Sequence, residues 1–302
     1  MKSGAQNSHR SPCPLSHPTT NATMSHRFDW TTWIIGYWSW WRVLRIFLLG
    51  YGTIAAYGYF LSDRQMFPAP TPSYTDRPDI LKLTTSNQQQ ISALYLNHPT
   101  AQYTLLYSHG NGEDLGSIRP HLTKLNQLGL RIFAYDYRGY GTSQGQPSES
   151  ATYDDIQTAY NYLTTHLKTP PKKIILMGRS IGSGPSVHLA TQKPVAGLIL
   201  ESAFTSIFRV IIPFPVLPFD KFPNRDRLPQ VRCPVLIIHG TQDSVIPFHH
   251  GQTLYETANP PKTLLTIAGA DHNDVSGVGG RQYWQGIQAF QKQLTTPSTS
   301  RH

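Results

Sequence analysis

Gly178-Arg-Ser-Ile-Gly182 sets a serine between two glycines, directly after the apolar run Ile174 to Met177. An unbroken apolar run of that length reads as a strand buried on both faces. Glycine two residues before and two after Ser180 lets a strand and a helix meet in a turn too tight for larger side chains. Such a turn is a nucleophile elbow, with Gly178 and Gly182 serving the backbone and Ser180 at its tip. A serine hydroxyl is a poor nucleophile at neutral pH. It needs a base to take its proton, a carboxylate to orient that base, and N–H donors for the oxyanion that forms. One candidate exists for each role. The run Val235 to Ile238 leads into His239-Gly-Thr-Gln-Asp243, which puts a carboxylate at a strand end, and the run ending near Ile267 leads into Gly269-Ala-Asp-His272-Asn, which puts an imidazole at the next. The oxyanion donors are the N–H of Ile181, at a helix start, and one from the loop after Ser108-His109-Gly110, namely that of Asn111. Taken singly, Asp243 is a turn residue, His272 is one of thirteen histidines, and Gly110 and Gly112 only ease a turn. Placement of Ser180, Asp243 and His272 at three strand ends selects them together. Asp136 and Glu201 also end strands and are read as structural, hydrogen-bonding backbone around the elbow. His249 and His250 are read as the start of a solvated helix.

The elements that must position these residues alternate between strand and helix. Asp79 to Thr85 and Ile91 to Asn97 form an opening antiparallel pair, followed by buried strands at Tyr103 to Ser108 and Arg131 to Tyr135. A helix capped by Ser148 or Ser150 runs to about Leu167, with Ile156, Tyr160 and Leu163 on one face. After the elbow strand come Val195 to Leu200, Val235 to Ile238 and Lys262 to Ile267, and a last helix spans Tyr283 to Leu294. This is an α/β protein with a mostly parallel sheet and helices on both faces. The order Ser180, Asp243, His272 is that of the α/β-hydrolase fold and differs from the orders on the chymotrypsin and subtilisin folds. An insertion at 202–232 lies where such folds carry a cap. It is rich in Phe and Ile, with Phe204, Phe208 and Phe214 as either a candidate acyl pocket or simply cover for the sheet, and its prolines forbid one long helix and make it a bent lid.

Ahead of this domain, residues 1–28 are polar and Pro-rich and read as a disordered tail in which Met24 is an alternative start. Residues 30–62 read as a membrane anchor: Trp38, Trp40, Trp41, Arg42 and Arg45 precede an uncharged stretch from Ile46 to Leu61. An interfacial helix and an export signal are the alternatives. Because the arginines precede the span, the amino terminus is expected in the cytoplasm and the domain on the opposite face. Phe67-Pro-Ala-Pro-Thr-Pro72 is an extended connector to the domain at 67–294, and 295–302 is a loose tail. Six of the basic residues lie within 1–65 against two acids, leaving +5 of the net +9 for the rest. No basic run with interleaved aromatics occurs there, so nucleic acid is not an expected partner. Cys13 and Cys233 are the two cysteines, too few for a disulfide framework, and the chemistry calls for no metal or cofactor.

Five segments carry a resemblance: Ser108-His-Gly-Asn-Gly-Glu-Asp-Leu-Gly116, Tyr135-Asp-Tyr-Arg-Gly-Tyr-Gly-Thr-Ser143, Gly178-Arg-Ser-Ile-Gly-Ser-Gly184, Pro234-Val-Leu-Ile-Ile-His-Gly-Thr-Gln-Asp243 and Gly269-Ala-Asp-His-Asn273. Together they resemble the α/β-hydrolase domain-containing serine hydrolases, in the branch with the protein depalmitoylases and membrane-anchored relatives. That resemblance implies Ser180 as nucleophile, Asp243 and His272 as its partners, and ester or thioester hydrolysis. The animal depalmitoylases are held at membranes by an amino-terminal cluster of lipidated cysteines, where this chain has Cys13 and a hydrophobic span. The expectation is a membrane-anchored serine hydrolase acting on a small-molecule or lipid acyl substrate or an acylated protein. The alternatives are a serine peptidase on the same fold and a non-catalytic membrane scaffold.

Overall fold

The computed structural model describes residues 39–295. The readings for the amino-terminal tail, Cys13, Met24 and Trp38, and for the carboxyl-terminal tail beyond Thr295, lie outside the described residues. The chain divides at Ile54, within helix α1 (Trp40–Phe60), and the short helix α2 (Ser62–Met66) follows it. Helix α1 has 21 residues and is the one helix, among the described residues, long and apolar enough to cross a membrane.

The second unit, from Ala55 onward, holds an eight-stranded sheet: β1 (Ile80–Thr84), β2 (Gln90–Leu96), β3 (Thr104–Ser108), β4 (Arg131–Tyr135), β5 (Ile174–Arg179), β6 (Gly197–Glu201), β7 (Val235–Gly240) and β8 (Lys262–Ile267). Their spatial order is β1-β2-β4-β3-β5-β6-β7-β8. Strand β2 pairs antiparallel with both β1 and β4, and every later pairing is parallel. The nucleophile strand therefore lies between β3 and β6 with all three carboxyl ends on one rim.

Alternation along the strands divides the core into two layers. Leu106, Phe133, Leu176, Leu198 and Ile237 face one side, under α4 (Glu149–Thr165), α5 (Ser183–Gln192) and α8 (His249–Thr257), which supply Ile156, Val187 and Leu254. Leu105, Ile132, Ile175, Ile199 and Leu236 face the other, under α3 (Arg119–Gln127) and α9 (Val275–Thr295), which supply Leu122, Tyr283 and Phe290. All six residues of β5 are buried, as its unbroken apolar run requires of a strand covered twice. Helix α4 starts where the capping rule puts it: the Ser148 hydroxyl accepts from the Ala151 N–H at 3.1 Å. Helix α9 begins eight residues before the expected Tyr283, because the Gly-rich stretch Gly277 to Gly280 is helical except at Gly280 itself, whose positive φ kinks the axis.

The insertion Ser202 to Arg232 is bent, as its prolines demand. Besides one single-turn segment at Leu228, it holds only α6 (Ile207–Ile211) and α7 (Asn224–Arg227). Its ends are tied into the domain by buried Asn224, which donates to the Ser183 hydroxyl and to the Phe204 carbonyl.

At the elbow the glycine requirement is steric. A Cβ on Gly182 would sit 2.2 Å from the Ser108 carbonyl oxygen of β3, and one on Gly178 would sit 2.3 Å from the Gly182 carbonyl oxygen. Both obstacles are backbone, so the turn must open to admit a methyl group. Gly182→Ala is accordingly expected to cost about 1–3 kcal/mol of stability, read as a lowered thermal midpoint by circular dichroism, whereas Gly50→Ala, with open space around it, lowers nothing.

Candidate active site

The chain turns sharply as β5 ends. Ser180 has φ of 52°, in the left-handed region that costs a residue with a Cβ about 1–2 kcal/mol, and one tight helical turn, Ser180–Gly182, then feeds α5. That conformation lifts the side chain off the rim toward the loops after β7 and β8. The Ser180 hydroxyl lies 3.0 Å from His272 Nε2. On the other side of the ring, Nδ1 lies 2.9 and 3.1 Å from the two carboxylate oxygens of Asp243. The structure thus brings Ser180, His272 and Asp243 into one hydrogen-bonded row, all three buried.

The loops that hold the row are themselves cross-tied. Asp243 Oδ1 accepts from the backbone N–H of Val245 at 3.0 Å and of Ile246 at 2.7 Å. Asp271 Oδ1 accepts from the N–H of Ser244 and of His272, both at 2.7 Å, and so fastens the acid loop to the histidine loop. Burial alone would raise the Asp243 carboxyl; the His272 ring and the Ile246 amide outweigh it and hold the group below its ordinary range. An ionised Asp243 acts only as acceptor, so His272 Nδ1 carries the proton and Nε2 presents a lone pair to the serine. His239, at the end of β7, donates from Nε2 to the Ile246 carbonyl at 2.8 Å, and burial keeps its affinity for a second proton low.

Across the serine, the loop after β3 places Asn111 and Gly112, the latter with φ of 72°. The Asn111 side chain accepts from the Tyr140 hydroxyl at 3.3 Å. Among the described residues, neither the Asn111 nor the Ile181 amide is taken up by the backbone hydrogen bonds of the surrounding loops. The Gly110 amide, by contrast, is engaged by Glu113 Oε2 at 2.6 Å.

Arg179, the variable residue of the elbow pattern, went unnoticed in the sequence and is a hub. Its buried guanidinium meets Glu113 at 2.5 Å and Glu201 at 3.4 Å, and donates to the His272 carbonyl at 3.1 Å and to Asn273 Oδ1 at 2.9 Å. Burial works against the charge, and Glu113 and Glu201 more than offset it, raising the Arg179 pKa. One planar cation therefore joins the elbow to the Gly110 loop, through Glu113, and to the loop bearing His272. The partners lie 66 and 93 positions away, so no local pattern could have revealed them. The pair Arg179 and Glu201 also corrects one reading: Glu201 is structural, but it bonds side chains, with the Tyr283 hydroxyl donating to it at 2.5 Å, rather than backbone. Asp136 does bind backbone, accepting from the Leu115 N–H at 2.9 Å.

The reading of the His249 and His250 pair comes out differently. His250 is buried, its Nδ1 lying 3.0 Å from the Thr205 hydroxyl, because α8 packs beneath the insertion; only His249 is exposed. Phe204, Phe208 and Phe214 occupy three different settings. Phe204 is core, against Phe222; Phe208 is half-buried against Phe219; Phe214 is 63% exposed. A cavity of about 310 Å³ under the insertion is lined by Thr205, Arg209, Pro213, Asp220 and His250, and by none of these phenylalanines.

This strand order, with a serine at the elbow after β5 and an acid and a histidine on the loops after β7 and β8, defines an α/β hydrolase. A family model described as serine aminopeptidase, S33, matches residues 99–220. Human α/β hydrolase domain-containing protein 17B is 42% identical over 213 residues, 69% of this chain and 73% of that protein. The mouse 17C protein is 40% identical over 219 residues, 71% and 68% of the two chains. Among solved structures, the Pyrococcus furiosus esterase Pf2001 superposes with a TM-score of 0.64 at 18% identity, over 74% of this chain and 98% of that one. The chain belongs to the family of α/β hydrolase domain-containing proteins 17 and is a serine hydrolase.

Arg179→Gln is expected to leave the far-ultraviolet circular dichroism spectrum unchanged while lowering kcat toward soluble esters by up to about 100-fold, the penalty of misplacing reacting groups by an ångström. Arg179→Lys, which lacks the planar fork, restores little of it.

Proposed function

We propose that this chain is a membrane-anchored esterase or thioesterase that removes acyl groups through Ser180, His272 and Asp243. The observation that carries the reading is the imidazole of His272 set between the Ser180 hydroxyl and the Asp243 carboxylate at 3.0 and 2.9 Å. In the reaction the Ser180 oxygen attacks the acyl carbonyl as His272 Nε2 takes its proton, and Asp243 steadies the imidazolium. The tetrahedral oxyanion faces the N–H groups of Ile181 and Asn111; each donor of this kind is worth about 3 kcal/mol in the transition state. His272 then protonates the departing alcohol or thiol, and water, activated by the same imidazole, releases the acid and regenerates the hydroxyl.

Helix α1 supports the membrane reading: 21 residues at 1.5 Å each give about 31 Å, the thickness of a hydrocarbon core. With Arg42 and Arg45 at its start, the positive-inside rule puts the amino terminus in the cytoplasm and the domain on the other face. Lipid acyl esters and acylated proteins are the substrates such a site would meet. The description serine aminopeptidase on the matching family model favours one second reading, amide hydrolysis by the same three residues.

A fluorophosphonate probe should label the wild type and not Ser180→Ala, with kcat on p-nitrophenyl acyl esters lowered by at least about 10⁴-fold in the variant. Faster turnover of aminoacyl amides than of esters would move the assignment to a peptidase, and no labelling of folded wild type would leave a non-catalytic scaffold. Protease added outside intact cells should degrade the domain after Phe67; protection there reverses the orientation.

A further inference from the structure

Ten consecutive residues of the insertion, Val210 to Phe219, are apolar without exception. A soluble domain would fold such a run inward. Here Ile211 is 78% exposed and Phe214 63%, and Ile212 and Val216 are also exposed. Contiguous exposed apolar surface of this kind marks a contact with an apolar partner. What covers it is indicated by where the same run is anchored. A Cβ built on Gly58, in the last turn of α1, would lie 3.1 Å from Leu217 Cδ1, 3.6 Å from the Phe208 ring and 3.8 Å from the Phe219 ring. Tyr59 meets Phe219 edge-on, with ring centroids 5.5 Å apart. The absence of a side chain at Gly58 is what lets Leu217 come so close.

We infer that Val210 to Phe219 dips into the boundary of the bilayer that α1 crosses, which rests on the membrane anchoring proposed above. Helix α1 is about as long as the hydrocarbon core, so its last turn lies at the interface, and Leu217 lies at the same depth. Phe214 is three residues away, within about 10 Å along the chain, and Ile211 is on the same exposed run. The backbone suits the place as well as the side chains. An unsatisfied N–H in hydrocarbon costs several kcal/mol, and Pro213, Pro215 and Pro218 have none to satisfy. The Ile212 N–H is already given to the Phe208 carbonyl at 2.8 Å. Charged groups stop at both ends of the run: Arg209 pairs with Asp220 at 3.7 Å, closing the loop at the level where water begins. The ligand is thus the lipid surface itself, and an acyl chain leaving that surface meets the insertion first.

The test uses the full chain in phosphatidylcholine vesicles, in a Cys13→Ser, Cys233→Ala background, with a bimane label on Ile211→Cys, Gly50→Cys or Glu256→Cys. Lipid carrying a nitroxide on its acyl chain should quench the labels at 211 and 50 and leave that at 256 bright. Quenching at 50 but not at 211 overturns this inference and leaves the anchor standing. Failure at both overturns the anchor together with it. A label at 211 shielded from aqueous iodide yet unquenched by lipid assigns the patch to a protein contact, which also overturns the inference.

Discussion

The row from Ser180 through His272 to Asp243 exists only because the backbone at Ser180 is held in a conformation that a residue with a Cβ resists. The strain is small, about 1–2 kcal/mol, and two contacts hold it in place. Gly178 and Gly182 admit backbone oxygens to within the space a methyl group would need, and the parallel neighbours β3 and β6 clamp β5 from both sides. Relax that turn and the hydroxyl drops toward the sheet, out of reach of the imidazole.

A second device keeps the loops from drifting. Arg179 sits next to the serine in sequence and points the other way, into a buried set of acceptors drawn from two loops and the end of β6: Glu113, the His272 and Asn273 pair, and Glu201. Removing one partner from such a network leaves an unpaired buried charge, which is why its members behave as a unit. The arrangement links both sides of the proposed oxyanion site to the histidine loop through a single side chain. Asp271 repeats the logic on a smaller scale between the acid and histidine loops. The three side chains of the row are therefore positioned from behind, by groups outside the row.

Legibility in the sequence followed the range of the interaction. Strands β3 to β8 were readable because buried parallel strands are short, apolar and punctuated by Gly, Asp or Pro, and the row itself was readable because its members each end such a strand. The α4 cap was readable from Ser148 alone. Long-range side-chain chemistry was not: nothing local marks Arg179, whose partners lie 66 and 93 positions away, and His250 reads as the start of a solvated helix although the insertion packs over it. Glycines misled in the opposite sense at α9, where Gly277 to Gly280 disguised two helical turns. The insertion illustrates both outcomes, since its prolines foretold a bent path, but which of its phenylalanines face inward depended on Phe222 and Phe219, whose positions are tertiary.

The central claim is that the Ser180 hydroxyl is the atom that carries the acyl group. Rapid mixing with excess p-nitrophenyl ester, followed by acid quench and peptide mass mapping, tests it most directly. The account predicts a burst of p-nitrophenol equal to the concentration of folded protein, with the acyl mass on the peptide containing Ser180. Steady turnover with the acyl group on another residue, or with undiminished rate in Ser180→Ala, would contradict it.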